Sequence, residues 1–106
     1  MTLLKTPLKK KELQEQKLVR TDVNGRSIVL TTINGTIYAM GSVCSHKGGP
    51  LEEGTLEDYN LICPLHQGIF DIRSAKASPD TDWVTDLNSY KVIIDDITQE
   101  ISIDTD

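Results

Sequence analysis

The chain has 106 residues, the length of one domain, with 38% hydrophobic and 25% charged residues, which suits a globular protein rather than a disordered one. Its net charge of −5 argues against nucleic acid as the main partner, and no apolar run approaches the roughly 20 residues of a membrane-spanning helix. The N-terminus lacks the apolar stretch of a signal peptide, so the expected compartment is the cytoplasm, with no membrane partner.

Residues 1–16 form a lysine-rich leader in which little order is expected. Residues 1–20 carry six basic side chains against two acidic ones, a net +4, whereas from Asp71 onward nine acids oppose three bases, a net −6. The acidic body is thus expected either to be a plain solvated surface or to steer the chain toward a basic partner, an effect that salt weakens. Residues 18–23 alternate apolar and polar and end on Asn24-Gly25. Residues 27–33 are rich in β-branched side chains and end on Asn34-Gly35, after which residues 36–40 resume the strand pattern. Asn-Gly between such runs is a hairpin signal, because the favoured two-residue turn needs positive φ at both positions. Two in succession predict a three-stranded meander.

Residues 41–50 read as a loop with three glycines and a proline. Residues 51–56 and 60–63 read as short strands, residues 64–68 as a second loop, and residues 69–72 as another strand. Residues 73–86 read as a long connection. Residues 90–94 and 101–104 form a final hairpin around Asp95-Asp96. About eight short strands without a helix indicate an all-β sandwich or barrel.

The chemistry gathers in the two loops. Every cysteine and histidine of the chain lies in Cys44-Ser45-His46 or Cys63-Pro64-Leu65-His66. Thiolate and imidazole are the donors that suit iron and zinc, and each loop offers one of each. Three readings follow. The four residues could be unrelated structural side chains. They could form a tetrahedral zinc site, although common zinc signatures pair Cys with Cys and His with His. They could ligate a [2Fe–2S] cluster in which two histidines replace two cysteines on one iron.

The pattern Cys44-x-His46, sixteen residues, Cys63-x-x-His66, extended by Gly68-x-Phe70-Asp71, resembles that of Rieske-type ferredoxins, the small carriers related to the ferredoxin components of aromatic-ring-hydroxylating dioxygenase systems. Ser45 to Leu51 and the lysine-rich leader look closest to the archaeal members. The resemblance implies the Rieske fold: three antiparallel sheets, with a cluster-binding subdomain at about residues 41–72 inserted into a basal β-sandwich. Residues 17–106 would form this domain and residues 1–16 its leader. It implies Cys44 and Cys63 on the buried iron, and His46 and His66 on the outer one.

It also implies a one-electron carrier rather than an enzyme. Its partners would be a reductase and an acceptor such as an oxygenase, and the chain would be a monomer. Quinol-oxidising Rieske proteins carry a disulfide at the positions of Gly49 and Leu65, and cluster-bonding hydroxyls at those of Gly68 and Phe70. Their absence here fits a reducing cytoplasm and a low potential. The third loop, residues 76–86, retains only Ser78-Pro79 of the family's pattern there. Trp83 is read either as part of the outer wall of the cluster or as a core aromatic.

Overall fold

The computed structural model of the chain describes residues 3–42, 50–64, 67–79, 81 and 84–104. Both Asn-Gly pairs make the turns that their chemistry favours: φ is 53° and 81° at Asn24 and Gly25, and 52° and 82° at Asn34 and Gly35. These turns join β2 (Val19–Val23), β3 (Arg26–Ile33) and β4 (Thr36–Gly41) into the expected meander, with Val23 opposite Arg26 and Ile33 opposite Thr36. The last hairpin is also present, as β8 (Ser89–Ile94) and β9 (Glu100–Asp104).

The N-terminal segment differs from the expected leader. Leu3–Lys9 forms β1, which pairs antiparallel with β9. Leu4, Thr6 and Leu8 alternate toward the core while the lysines point outward. The Thr6 hydroxyl, buried, donates to the Ile101 carbonyl at 2.7 Å. Lysines on an exposed edge strand are what keeps such an edge from pairing with other chains, so a strand read there as a charged tail. Leu13, beyond a short 3₁₀ turn at Lys10–Glu12, is buried in the same core.

The described strands form two antiparallel sheets. The larger has the order β1-β9-β8-β4-β3-β2. Its two halves pair where Ala39 stands opposite Tyr90 and Met40 opposite Ser89. The smaller contains β5 (Thr55–Glu57), β6 (Asn60–Ile62) and β7 (Ile69–Asp71). The expected antiparallel all-β architecture is therefore present, with two of the three expected sheets fused into one through β4 and β8. Residues 51–56, expected as one strand, begin instead with a 3₁₀ turn at Leu51–Glu53 that buries Leu51 completely. The turn ends at Gly54, where a side chain would run into the Ile62 carbonyl.

Strand β3 divides the interior. Ile28 and Leu30 face one core with Ile37, Ala39, Tyr90, Ile101 and Ile103. Val29 and Ile33 face a second core with Met40, Leu51, Leu61, Cys63, Phe70, Ile72 and Val84. A strand covered on both faces reads as a continuous apolar run, as residues 28–30 do. The second core fastens the small sheet, and with it the two loops, onto the large one.

Candidate functional site

Both loops that carry the cysteines and histidines rise from closed stems. At the first, the Ser42 N–H donates to the Ser27 carbonyl at 3.0 Å, which continues the β3–β4 ladder by one pair. The Leu51 N–H then donates to the Ser42 carbonyl at 2.9 Å, which brings the two flanks of the first cysteine–histidine segment together. Arg20 on β2 reaches Glu52 beside this stem at 3.4 Å, Asp22 at 3.3 Å and Ser27 at 2.8 Å. Asp22 is held below the usual carboxylate range, first by the Ser27 hydroxyl and then by Arg20, and Arg20 is raised by Asp22. Arg20 and Asp22 are exposed and Glu52 only partly buried, so the pairs orient the stem more than they stabilise it.

The second loop connects β6 and β7 and is closed by the Cys63 N–H donating to the Gly68 carbonyl at 2.8 Å. Cys63 is 0% exposed and packs in the same core as Leu51, which places the two stems on one apolar base. Gly68 sits against the third segment: a Cβ there would stand 2.7 Å from Val84 Cγ1. That segment lies along β7. The Ser78 N–H donates to the Ile69 carbonyl at 2.8 Å, Phe70 bridges to Ala77, and the Ala77 N–H donates to Asp86 at 2.8 Å. Thr81, also buried, accepts from the Ile69 N–H at 3.4 Å.

At the far end of the small sheet, Arg73 makes a two-pronged contact with Asp71 at 3.1 and 2.8 Å, and stacks over Tyr59 at 4.1 Å. Tyr59 meets Tyr38 of β4 edge-on, with ring centroids 6.0 Å apart. The Arg73 side chain holds Asp71 below the usual carboxylate range. This cluster ties the small sheet to the large one a full strand-length from the loops.

Of the four expected ligands, Cys63 lies within the described residues. Cys44, His46 and His66 lie outside them, as do Gly49, Leu65 and Trp83. Among the described residues no three His, Cys, Asp or Glu side chains gather as a metal site, and no helix is long and apolar enough to cross a membrane. The residues present nonetheless fit an iron–sulfur group. A cysteine sulfur is buried at the root of one loop. At the root of the other, the Ser42 hydroxyl is fully buried and has no hydrogen-bond partner. Burying a hydroxyl without a partner is costly, so its survival at this point fits an acceptor brought by a bound group. Ser42 carries no motif; its only sequence signal is its place just past a strand and two residues before Cys44.

The family model described as Rieske [2Fe-2S] domain matches residues 6–91. The chain is 36% identical over 86 residues to the ferredoxin component of the naphthalene 1,2-dioxygenase/salicylate 5-hydroxylase systems of Ralstonia sp, covering 81% of this chain and 82% of that one. The ferredoxin of carbazole 1,9a-dioxygenase from Nocardioides aromaticivorans IC177 superposes with a TM-score of 0.86 over 100% of both chains, at 24% identity. A complex of reduced oxygenase and oxidised ferredoxin in carbazole 1,9a-dioxygenase gives a TM-score of 0.83 over 98% of this chain and 94% of that one, at 21% identity. At such identities the structural likenesses speak to the fold alone.

Proposed function

The chain belongs to the Rieske [2Fe-2S] domain family, and on that premise we propose which of its residues hold the cluster and whom it serves. It carries one Rieske-type [2Fe–2S] cluster and is an electron carrier of the ferredoxin kind, not itself an enzyme. Cys44 and Cys63 ligate the inner iron; His46 and His66 ligate the outer one through one ring nitrogen each. The cluster-bearing subdomain is residues 41–72. The observation that carries this reading is Cys63, fully buried at the mouth of a loop closed by its own N–H, on the same apolar base as the stem of the first loop.

When bound, the cluster accepts and returns one electron. The chain's part is to hold it still and to set its environment. The apolar base under Cys63 would exclude water from the inner side, and the Leu51–Ser42 and Cys63–Gly68 hydrogen bonds hold the two stems closed. With Cys44, Cys63, His46 and His66 all holding the cluster, no cysteine or histidine of the chain would be left to build a substrate-binding metal site. With two ferric ions, two sulfides and two thiolates cancelling, the oxidised protein keeps its charge of −5 and the reduced one carries −6.

The partners are a reductase that supplies the electron and an oxygenase that consumes it. The family's dioxygenase-system ferredoxins support this, and the acidic body gives a surface for docking on basic patches. The chain works as a monomer in the cytoplasm, since two iron-bound cysteines leave none for a disulfide. The potential lies in the lower part of the Rieske range of about −150 to +300 mV, because Gly68 and Phe70 offer no hydroxyl to cluster sulfur.

Metal and sulfide analysis with low-temperature electron paramagnetic resonance of the purified protein tests the site. The expected result is two irons and two labile sulfides per chain, with a mean g-value below that of an all-cysteine cluster, all lost in Cys63→Ser and His66→Ala. A colourless protein with one zinc overturns the reading.

A further inference from the structure

Three buried polar atoms among the described residues have no hydrogen-bond partner: Thr31 Oγ1, Ser42 Oγ and Glu52 Oε1. Thr31 sits opposite Tyr38, well along β3 from the loops. Glu52 is at the stem of the first loop, but its carboxylate accepts and offers no proton to an anionic group. Ser42 alone is a donor at a loop root. Its direction follows from the strand: along β4, Ile37 and Ala39 face the basal core, whereas Tyr38 and Met40 face the core that contains Cys63. The Ser42–Ser27 hydrogen bond continues this ladder, so the side chain of Ser42 falls on the Met40 side, beneath the first loop.

We propose that the Ser42 hydroxyl donates a hydrogen bond to sulfur at the cysteine-ligated end of the cluster and thereby stabilises its reduced state. The inference deepens the ligand assignment above and rests on it. A hydrogen bond to sulfur strengthens as the cluster gains negative charge, so it favours the state with one more electron. One such bond from the first loop does not make up for the two hydroxyls absent at Gly68 and Phe70, so the low potential stands. The bond also accounts for a buried hydroxyl that the polypeptide leaves unsatisfied. Ser42 is a tuning residue in this scheme, neither ligand nor acid–base group.

The test is a redox titration of the holoprotein, followed by visible absorption at one pH, for the wild type, Ser42→Ala and Ser42→Thr. At an applied potential equal to the wild-type midpoint, Ser42→Ala should show a reduced-to-oxidised ratio about tenfold lower, which corresponds to a shift of about 59 mV for one electron. Ser42→Thr, which keeps the hydroxyl, should stay within about twofold of wild type, a margin of roughly 20 mV on the same scale. A fully loaded Ser42→Ala with an unshifted ratio overturns the proposal. If Ser42→Ala does not load, Ser42→Gly takes its place, and equal ratios in Ser42→Gly and Ser42→Thr overturn it too. Iron and sulfide counts on the wild type are read separately: their absence defeats the ligand assignment, whereas a loaded cluster with no shift defeats only the role of Ser42.

Discussion

Gly68→Ala probes the contact that sets the second loop against the third segment. The added methyl would stand 2.7 Å from Val84 Cγ1 and 3.4 Å from Cγ2, where about 3.5–4.0 Å is the comfortable carbon–carbon separation. Neither side can yield easily. Gly68 is held by its carbonyl to Cys63, and Val84 is 6% exposed in the core that contains Cys63 and Phe70. No positive φ is involved, so the effect is packing and not backbone strain. Overpacking of this size costs about 1–3 kcal/mol, less the ~0.4–1 kcal/mol that Ala saves by restricting the unfolded chain.

Val84→Ala alone removes two buried methyl groups and should cost roughly 2 kcal/mol. In the double variant the new methyl occupies the space vacated by the old ones. The two costs should therefore fail to add, with a favourable coupling of at least ~1 kcal/mol. Urea unfolding of the apoprotein, with the four members of the cycle sharing one m-value, measures this directly. Additivity within ~0.3–0.5 kcal/mol would show that Gly68 and Val84 do not meet, and would refute the packing of loop against segment.

Gly54→Ala should be harsher, because its methyl meets the rigid Ile62 carbonyl; a loss near 3 kcal/mol should lower the apoprotein melting temperature by about 12–24 °C in a thermal scan. Thr6→Val should cost about 1 kcal/mol in urea by deleting the buried bond to the Ile101 carbonyl, whereas a segment outside the fold would show no change. For pH, Asp71 is lowered chiefly by the Arg73 side chain, and Asp95 chiefly by the N–H of Thr98 and then that of Ile97. Their folded values lie below the unfolded one, so each stabilises above the ordinary carboxylate pKa of about 4, and that contribution is lost as pH falls through the folded value. Asp71→Asn with Asp95→Asn should flatten the fall of the urea midpoint between about pH 5 and 3; an unchanged slope would contradict the assigned contacts.

Strand content was legible in the sequence wherever local chemistry decides it. The two Asn-Gly turns fixed the meander because positive φ is cheap for Asn and Gly, and the run of β-branched residues at 28–33 marked the central strand. Three features were hidden. Strand β1 was obscured because its inward Leu4, Thr6 and Leu8 alternate with edge lysines, and its partner β9 lies at the other end of the chain. The 3₁₀ turn at Leu51–Glu53 depends on the place of Gly54 beneath Ile62, a tertiary contact. Of the site, the donors and their spacing were plain in the text of the chain. The closed stems, the Gly68–Val84 contact and the unsatisfied hydroxyl of Ser42 exist only once β4, β6 and β7 are brought together.

The division of the interior by β3 has a consequence for how an electron carrier of this size holds its cofactor. The basal core, built from Ile28, Leu30, Ile37, Ala39, Tyr90, Ile101 and Ile103, contains no proposed ligand and closes on β1, β8 and β9. The upper core contains Cys63, yet its other members are almost all aliphatic or aromatic, and it is reinforced at its far end by the Tyr38–Tyr59–Arg73–Asp71 contacts. The small sheet is thus gripped at two places, at the loop stems and at the opposite end, with the short three-residue strands β5, β6 and β7 spanning between them. Short strands cannot bend far when both ends are held. A cluster held at these loops, as proposed, would change its charge by one above stems that are already closed by hydrogen bonds. Low rearrangement is what a group that passes single electrons requires, and in this chain the apolar residues of β3 and β4 supply the packed base for it.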